Sequence, residues 1–228
     1  MNEYIQNIYE TMSVIGRNGQ IHKLHSHIDR KEGEFLFSII SEDSSIRNTL
    51  EVGCAYGLSS LHICSALQDR SGVSHTIIDP FQNTQWDGVG IRNLETAGID
   101  FFTLIETKSE LALPRLLETK EGQFDFIFID GWHTFDHTLL DCFYATRLLR
   151  VGGVLAIDDA HFKSVSRVVK FLKNYPCYKE AGSVEGNLNN HPYYQEADLI
   201  DDNLRETMVA LKKVEEDNRN WYWHNDAF

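Results

Sequence analysis

From residue 48 onwards, segments with the hydrophobic pattern of a β-strand alternate with segments that have the hydrophobic spacing of an α-helix. Short, nearly continuous apolar runs predict buried strands, and segments with apolar residues at helical spacing predict amphipathic helices. The predicted strands are Thr49–Gly53, His75–Asp79, Phe101–Glu106, Phe124–Asp130 and Val151–Asp158. The predicted helices are Leu58–Gln68, Gly88–Ala97, Ser109–Glu118, Phe135–Leu149 and Ser164–Lys173. Because alternating strands and helices form a parallel sheet covered on both faces, the pattern predicts a doubly wound α/β fold.

The segment before this core shows the helical spacing twice. Asn2–Ile15 and Glu32–Ser41 each carry an apolar stripe and predict two helices. The polar stretch between them, Gly16–Lys31, contains three histidines, His22, His25 and His27. Their spacing suits neither one face of a helix nor one face of a strand. We therefore favour a loop that covers a ligand site over a metal site built from these histidines.

Beyond residue 174 the alternation stops. Cys177–Ala181 and Thr207–Val214 predict two further strands, an antiparallel pair at the sheet edge that brings the sheet to seven strands. The stretch Ser183–Arg205 is polar and irregular and reads as an insertion. The tail Asn220–Phe228 is aromatic, which predicts that it packs on the domain or on a second subunit, and a homodimer is a reasonable assembly.

No internal repeat or low-complexity linker divides the chain, so we predict a single domain over residues 1–228. Its parts are an N-terminal helical lid (1–47), a core (48–174) and a C-terminal segment of strands, insertion and aromatic tail (175–228).

The composition narrows the range of partners. A formal net charge of −13 argues against nucleic acid and against an anionic membrane surface as partners. The four cysteines form no CxxC pair, and no stretch resembles a signal peptide or a membrane span. These features predict a cytoplasmic protein with free, buried thiols.

One turn carries the first chemical signal. The strand that contains Glu51 runs into Gly53-x-Ala55-x-Gly57, and a helix follows at once. Glycines let a ligand approach the backbone, and a helix N-terminus offers free N–H groups to a negatively charged part of that ligand. Asp79 lies at the end of the adjacent strand, where a carboxylate can accept hydrogen bonds from ribose hydroxyls. The alternative is that Asp79 caps a turn before the following proline.

The turn lacks the third glycine of a dinucleotide fingerprint, because Leu58 follows Gly57, and this disfavours NAD. In an open parallel sheet, ligands bind beyond the carboxyl ends of the strands. Nearly every predicted strand ends in a carboxylate, and we expect these acids to converge on one site: Glu51, Asp79, Glu106, Asp130, Asp158 and Asp159.

With these residues in place, three blocks resemble the motifs of class I S-adenosylmethionine-dependent methyltransferases. They are Leu50–Ser59, Phe126–His133 and Leu149–Asp159, in the order and spacing of that family. The resemblance covers about Phe35 to Leu172 and is nearest to small catechol-type O-methyltransferases and the bacterial methyltransferase family 24. It implies a Rossmann-like sheet and S-adenosylmethionine as cofactor.

The resemblance implies a role for each matching position. Gly53, Ala55 and Gly57 would line the methionine part of the cofactor, with Ser59 near its carboxylate and Glu51 behind the turn. Asp79 would hold the ribose, Ser109 and Glu110 would reach the adenine, and Asp130 would lie at the methionine amine. The implied cofactor-binding set is Glu51, Gly53, Ala55, Tyr56, Gly57, Ser59, Asp79, Ser109, Glu110 and Asp130.

Three carboxylates form a candidate metal site. Asp130, Asp158 and Asp159 follow two neighbouring strands, and such a group repels itself unless a cation or protons neutralise it. Oxygen ligands suit Mg²⁺, with Mn²⁺ or Ca²⁺ as alternatives, and a cation could lower the pKa of a substrate hydroxyl. The catechol-type family carries Asn where this chain has Asp159, and relatives that methylate sugar hydroxyls carry Asp there. In the alternative, Asp159 caps the next segment and Asp130 only holds the cofactor amine.

His133 is the candidate general base, at a position where the catechol-type family has lysine. Alternatively, it caps the helix that begins near Phe135. His161 is a second candidate base or a substrate contact. Trp86 and Trp132 form either an apolar wall for a flat substrate or part of the packing.

The sequence thus predicts metal-assisted O-methylation of a small-molecule hydroxyl, on a sugar or a phenol. The acceptor pocket is expected in the His22–Lys31 loop and the Ser183–Arg205 insertion. Two alternatives stay open. One is a metal-dependent hydrolase that uses Asp130, His133 and His137, since two histidines at i, i+4 on a helix can share one Zn²⁺. The other is a non-enzymatic S-adenosylmethionine-binding protein.

Overall fold

The computed structural model describes residues 3–186 and 205–224. The helices in this part of the chain are α1 (Glu3–Thr11), α2 (Arg30–Glu42), α3 (Leu58–Leu67), α4 (Val89–Thr96), α5 (Ser109–Lys120), α6 (Phe135–Leu148) and α7 (Lys163–Lys173). The strands are β1 (Ser13–Ile15), β2 (Ile21–Lys23), β3 (Asn48–Val52), β4 (Ser74–Ile78), β5 (Phe102–Ile105), β6 (Phe124–Ile129), β7 (Leu149–Ile157), β8 (Tyr178–Glu185) and β9 (Glu206–Lys213).

The principal sheet has seven strands in the order β5-β4-β3-β6-β7-β9-β8. The pairs β3/β4, β4/β5 and β6/β7 are parallel, whereas β9 is antiparallel to both β7 and β8. The predicted doubly wound, mostly parallel sheet with an antiparallel strand at its edge is confirmed. By compactness the chain divides into two units, Met1–Ala112 and Leu113–Phe228, and the single-domain organisation stays a prediction.

In the first unit, the three parallel strands end in register. Val52 pairs with Ile78, and Ile78 pairs with Ile105. The residues that follow these strands therefore reach the same edge of the sheet, and they are Gly53, Asp79 and Glu106. This agrees with the expectation from sequence that polar residues at successive strand ends come together.

The N-terminal segment differs from its prediction. The helix predicted to reach Ile15 ends at Thr11, because Met12 takes a left-handed conformation with φ of 48°. Strands β1 and β2 then form a short antiparallel hairpin inside the predicted helix and loop. Val14 of this hairpin is buried and Ile15 is half exposed, so the apolar spacing that resembled a helical stripe belongs partly to a strand.

Helix α2 starts where the sequence predicts a helix, and its start is well defined. Asp29 caps it, accepting from the Glu32 backbone N–H at 2.9 Å while the Glu32 carboxylate accepts from the Asp29 N–H at 2.7 Å. This capping box satisfies two N–H groups that the helix leaves unpaired. Helix α2 packs on α3, and Gly33 lies directly against the imidazole of His62, leaving no room for a side chain at position 33.

In the second unit, β6 is buried at every position, as its continuous apolar run predicts. Ile129 pairs with Ile157, and the backbone N–H of Asp158 donates to the Ile129 carbonyl at 3.0 Å. Asp130 and Asp158 therefore follow neighbouring parallel strands at the same edge of this part of the sheet.

The aromatic tail is divided between packing and exposure. Trp223 lies edge-on to Phe171 and Tyr175, and the Arg219 guanidinium lies 3.3 Å from the Tyr175 ring centroid. The prediction that the tail packs on the domain holds for Trp223, whereas Trp221 is 94% exposed. The tail beyond residue 224 and most of the predicted Ser183–Arg205 insertion lie outside the described residues.

All four cysteines are free and buried, as predicted. Within residues 3–186 and 205–224, no helix combines the length and the apolar character that a membrane crossing needs.

Candidate functional site

The glycine turn of the first unit, residues 53–57, joins β3 to α3 through left-handed backbone. Gly53, Ala55 and Gly57 have φ values of 87°, 46° and 78°. A methyl group placed on Gly57 would lie 2.8 Å from the Gly90 carbonyl oxygen, so this position needs glycine for space as well as for conformation. Ala55 takes the left-handed conformation without being glycine, which requires other groups to hold it there.

Asp79 is the group that holds the turn. Its carboxylate accepts hydrogen bonds from the backbone N–H groups of Cys54 at 3.1 Å and Ala55 at 2.9 Å. It also accepts from the Phe81 N–H at 2.8 Å, and its exposed fraction is 3%. The sequence alternative of an acid that caps a local turn accounts for the Phe81 contact alone, because Cys54 and Ala55 belong to the turn after another strand. The ribose-binding role of Asp79 stays a prediction.

Gln82 completes the same arrangement, and sequence reasoning missed it. Its side-chain amide donates to the Ala55 carbonyl at 2.8 Å and to the Asp79 carboxylate at 3.0 Å. Gln82 is fully buried, and its Oε1 has no hydrogen-bond partner among the described residues. Because both donors face acceptors, the orientation of this amide is fixed. Nothing in the spacing Asp79-Pro80-Phe81-Gln82 separates this glutamine from an ordinary loop residue.

Glu51 lies beneath the turn, as the resemblance implies, in a fully buried polar network. Its carboxylate contacts His75 Nε2 at 3.1 Å and accepts a hydrogen bond from the Ser60 hydroxyl. His75 Nδ1 lies 2.8 Å from the Thr49 hydroxyl. The network ties β3, β4 and the first turn of α3 together. His75 begins a predicted strand, and no sequence signal marked it as the partner of Glu51.

Aromatic side chains cover the tip of the turn. The Tyr56 hydroxyl lies 2.7 Å from His25 Nε2, and the Trp86 ring lies 5.2 Å from the Tyr56 ring. The predicted covering loop thus reaches the turn through His25. His22 contacts Asp87 at 3.4 Å and His27 lies near Tyr9, so the three histidines go to different partners. They form no metal-binding group in the part of the chain that the structure describes.

The other predicted cofactor contacts of the first unit lie at the start of helices. Ser59 is buried in the first turn of α3. Ser109 begins α5 and Glu110 follows it, with the Glu110 carboxylate 3.9 Å from Lys108. Glu106 accepts a hydrogen bond from the Asn83 backbone N–H at 2.7 Å. The roles of Ser109 and Glu110 towards the adenine, and of Ser59 towards the methionine carboxylate, stay predictions.

The second unit contains the acidic cluster, which we define as Asp130, His133 and Asp159. His133 Nε2 lies 3.3 Å from Asp130 Oδ1 and 3.0 Å from Asp159 Oδ2. The three side chains are between 21% and 38% exposed. Their ligand atoms lie within 4.8 Å of one another, and no other such group occurs among the described residues.

The backbone shapes this cluster. Asp159 follows β7 with a left-handed φ of 51°, a conformation that aspartate tolerates better than most residues. The Ser164 hydroxyl at the start of α7 donates to the His133 carbonyl at 2.5 Å and so holds the loop that carries the imidazole.

The two carboxylates control the charge of His133. Burial alone would lower its pKa, but the hydrogen bond to Asp130 and the negative charge of Asp159 outweigh burial and raise the pKa to about 9. In the ligand-free protein at neutral pH, an imidazolium therefore lies between two carboxylates.

The structure brings together two of the three predicted metal ligands, Asp130 and Asp159, with His133 as the third member of the group. Asp158 is 7% exposed and is not part of it. His161, the second candidate base, is 1% exposed, and its Nε2 lies 3.7 Å from Asp159 Oδ1. Trp132 is 62% exposed, so it is not a packing residue.

The hydrolase alternative required Asp130, His133 and His137 to bind one metal ion, and the structure does not bring these three side chains together. His137 contacts the Thr134 hydroxyl at 2.8 Å and lies beside Asp136 at 3.5 Å, and it does not join Asp130 and His133.

Comparison with known proteins agrees with this geometry. The model of methyltransferase family 24, described as a methyltransferase domain, matches residues 50–160. Caffeoyl-CoA O-methyltransferase 2 of Petunia hybrida is 31% identical over 56% of this chain and 51% of its own length. Catechol O-methyltransferase of Niastella koreensis is 27% identical over 58% of this chain and 57% of its own length. The chain thus spans little more than half the length of these curated relatives.

A solved O-methyltransferase from Bacillus cereus, in complex with SAH, has the same fold. It superposes with a TM-score of 0.68 over 93% of this chain and 92% of its own, at 17% identity. These findings confirm the resemblance to class I S-adenosylmethionine-dependent methyltransferases of the family 24 and catechol type.

Proposed function

We propose that this protein is an S-adenosylmethionine-dependent methyltransferase that methylates a hydroxyl group of a small molecule with the help of a divalent cation. The observation that carries the proposal is the extent of the family match. Residues 50–160 begin in β3, just before the glycine turn, and end just after Asp159, so they include the turn and the acidic cluster. The names of the curated relatives, caffeoyl-CoA and catechol O-methyltransferases, favour a hydroxyl as acceptor.

In this proposal the glycine turn binds the methyl donor. Gly53 would let a ligand approach the backbone, Gly57 allows the turn to pack against Gly90, and the N–H groups at the start of α3 would bind the methionine carboxylate. Asp79 fixes the turn in its left-handed form and so keeps those groups in place before the donor arrives. A preformed turn reduces the ordering cost of binding.

The acidic cluster binds the cation. Two carboxylates and one imidazole within 4.8 Å are a donor set that divalent cations accept, and two negative charges facing one side chain favour a positive ligand. Asp130 and Asp159 would hold Mg²⁺, Mn²⁺ or Ca²⁺, which when bound would lower the pKa of an acceptor hydroxyl. Asp158, also predicted as a ligand, is buried and is not part of this group.

The remaining side chains position the acceptor. Trp132 offers an exposed flat surface close in sequence to Asp130 and His133, which suits a ring-bearing acceptor such as a sugar or a phenol. Of the two predicted bases, His133 is open to solvent and His161 is not. The homodimer and the cytoplasmic location stay predictions from the sequence.

A labelled-methyl assay tests the proposal. The protein is incubated with S-adenosylmethionine that carries an isotopic methyl group, with Mg²⁺ or Mn²⁺, and with a panel of catechols and sugar diols. We expect label in an O-methyl product of at least one acceptor, and no label with Asp159→Ala. Asp136→Ala is a matched control, because Asp136 is an exposed acid outside the cluster. Binding of the donor without transfer to any acceptor would instead support the non-enzymatic alternative.

A further inference from the structure

The acidic cluster offers a cation two carboxylates and one imidazole, and not the three carboxylates that the sequence predicts. Both carboxylates approach the same atom, His133 Nε2, at 3.3 Å and 3.0 Å. The third acid of the sequence, Asp158, is outside the group, so its place as third donor is taken by a nitrogen.

These separations suit a shared cation. Ligand atoms about 2.1 Å from a metal and at right angles around it are about 3 Å apart. The two contacts of Nε2 are close to that length, so an ion could bind all three donors with small side-chain movements.

The imidazole is also held in position. The Ser164 hydroxyl holds the His133 carbonyl at 2.5 Å, and the Phe162 ring lies 5.5 Å from the imidazole ring. On the far side of the cluster, His161 lies 3.7 Å from Asp159 Oδ1, the oxygen that does not face His133. Supporting contacts of this kind orient metal ligands in proteins.

We propose that His133 Nε2 is a direct ligand of the cation and that the site therefore prefers a first-row transition metal, such as Mn²⁺, over Mg²⁺. The inference rests on the proposed metal-assisted function and specifies its cation. Imidazole nitrogen binds transition metals well and adds little affinity for Mg²⁺, which prefers oxygen and retains water.

The inference changes the role of His133. The lone pair of one ring nitrogen cannot bind a metal and accept the proton of a hydroxyl at the same time. His133 then holds the cation, and the acceptor proton leaves to solvent or to another group.

Pulsed EPR on the Mn²⁺ complex of the full chain tests this directly. We expect ¹⁴N modulation from a coordinated imidazole in the wild-type protein and its loss in His133→Gln. His137→Gln is the matched control, because His137 lies on helix α6, just after the loop that carries His133, and is outside the cluster, so this variant should retain the modulation. Calorimetry should show Mn²⁺ binding at least about tenfold tighter than Mg²⁺ in the wild type, with a smaller ratio in His133→Gln.

Two results would overturn the inference. One is Mn²⁺ bound at the site without ¹⁴N modulation, and the other is Mn²⁺ binding that is the same in the wild type and in Asp159→Ala. The labelled-methyl assay separates this failure from failure of the proposed function. Methyl transfer by a protein whose Mn²⁺ shows no nitrogen ligand leaves the function standing, whereas nitrogen-coordinated Mn²⁺ without transfer to any acceptor leaves only the metal site.

Discussion

The two polar sites use the same residue types in opposite ways. At the glycine turn, Asp79 and Glu51 are 3% and 0% exposed, and protein groups contact both carboxylates. In the acidic cluster, Asp130 and Asp159 keep 25% and 21% of their side-chain surface in solvent and both face His133. Asp79 holds backbone N–H groups and Glu51 holds buried side chains, whereas the second pair of acids is open to a ligand.

The comparison teaches that an acid at a strand end has no fixed role. A buried carboxylate that accepts several backbone N–H groups stabilises a turn that would otherwise be strained. A partly exposed carboxylate next to another carboxylate repels it and gains from a cation. The contacts of each acid therefore separate positioning residues from ligand-binding residues better than its place in the motif does.

The largest effect on stability is expected at Gly57. Gly57→Ala puts a side chain at a φ of 78° and 2.8 Å from the Gly90 carbonyl oxygen. Strain and overpacking together should lower the free energy of unfolding by about 4 kcal/mol. Urea unfolding measures it, with Gly98→Ala as control, because Gly98 has a φ of 74° and open space around it. An equal loss in both variants would show that the close approach at Gly57 has no cost.

Two histidines, one on the helix that follows the glycine turn and one in the acidic cluster, have pKa values shifted in opposite directions. Burial and the charge of Arg30 lower the pKa of His62 to about 4, whereas the carboxylates of the acidic cluster raise that of His133. As the pH falls below about 6.5, His62 becomes protonated in the unfolded chain but stays neutral in the folded protein. His62 should thus reduce stability by roughly 3 kcal/mol between pH 6.5 and pH 4.

Urea unfolding across this pH range measures the effect of His62. We expect His62→Gln to flatten the pH dependence of stability. The same slope in the wild type and in His62→Gln would contradict the burial of a neutral imidazole between α2 and α3.

A smaller effect is expected at Asp79. Asp79→Asn replaces an accepting oxygen with an NH₂ group that faces backbone donors, so the ligand-free protein should lose about 2 kcal/mol of stability. Thermal unfolding without cofactor measures it, and Asp100→Asn at an exposed acid is the control. If stability is unchanged and only donor binding weakens, Asp79 acts on the ribose and does not hold the turn.

Most of the core could be predicted from the sequence, because each buried strand has a continuous apolar run and each run is followed by a helical stripe. The β1–β2 hairpin could not, since its three-residue strands are too short to establish a period and Met12 gives no sign of its left-handed backbone. The acids at the strand ends were predicted to form one site. Their contacts divide four of them between the glycine turn and the acidic cluster.

The sequence predicted most of the residues of the site, but it did not predict which of them contact one another. Asp130, His133 and Asp159 were all candidates, but the replacement of Asp158 by His133 depends on the direction of side chains after β6 and β7, which spacing does not specify. Gln82 and His75 were missed for a related reason. Their importance comes from partners far along the chain, Ala55 and Glu51, and no local pattern records those contacts.

The central claim is that donor binding belongs to the glycine turn and catalysis also needs the acidic cluster. The most direct measurement is a calorimetric titration of S-adenosylmethionine into the wild-type protein and into Asp159→Ala. The account predicts saturable binding with dissociation constants within about threefold of each other, because Asp159 is not part of the turn. Absence of binding to the wild-type protein at high micromolar donor would contradict it.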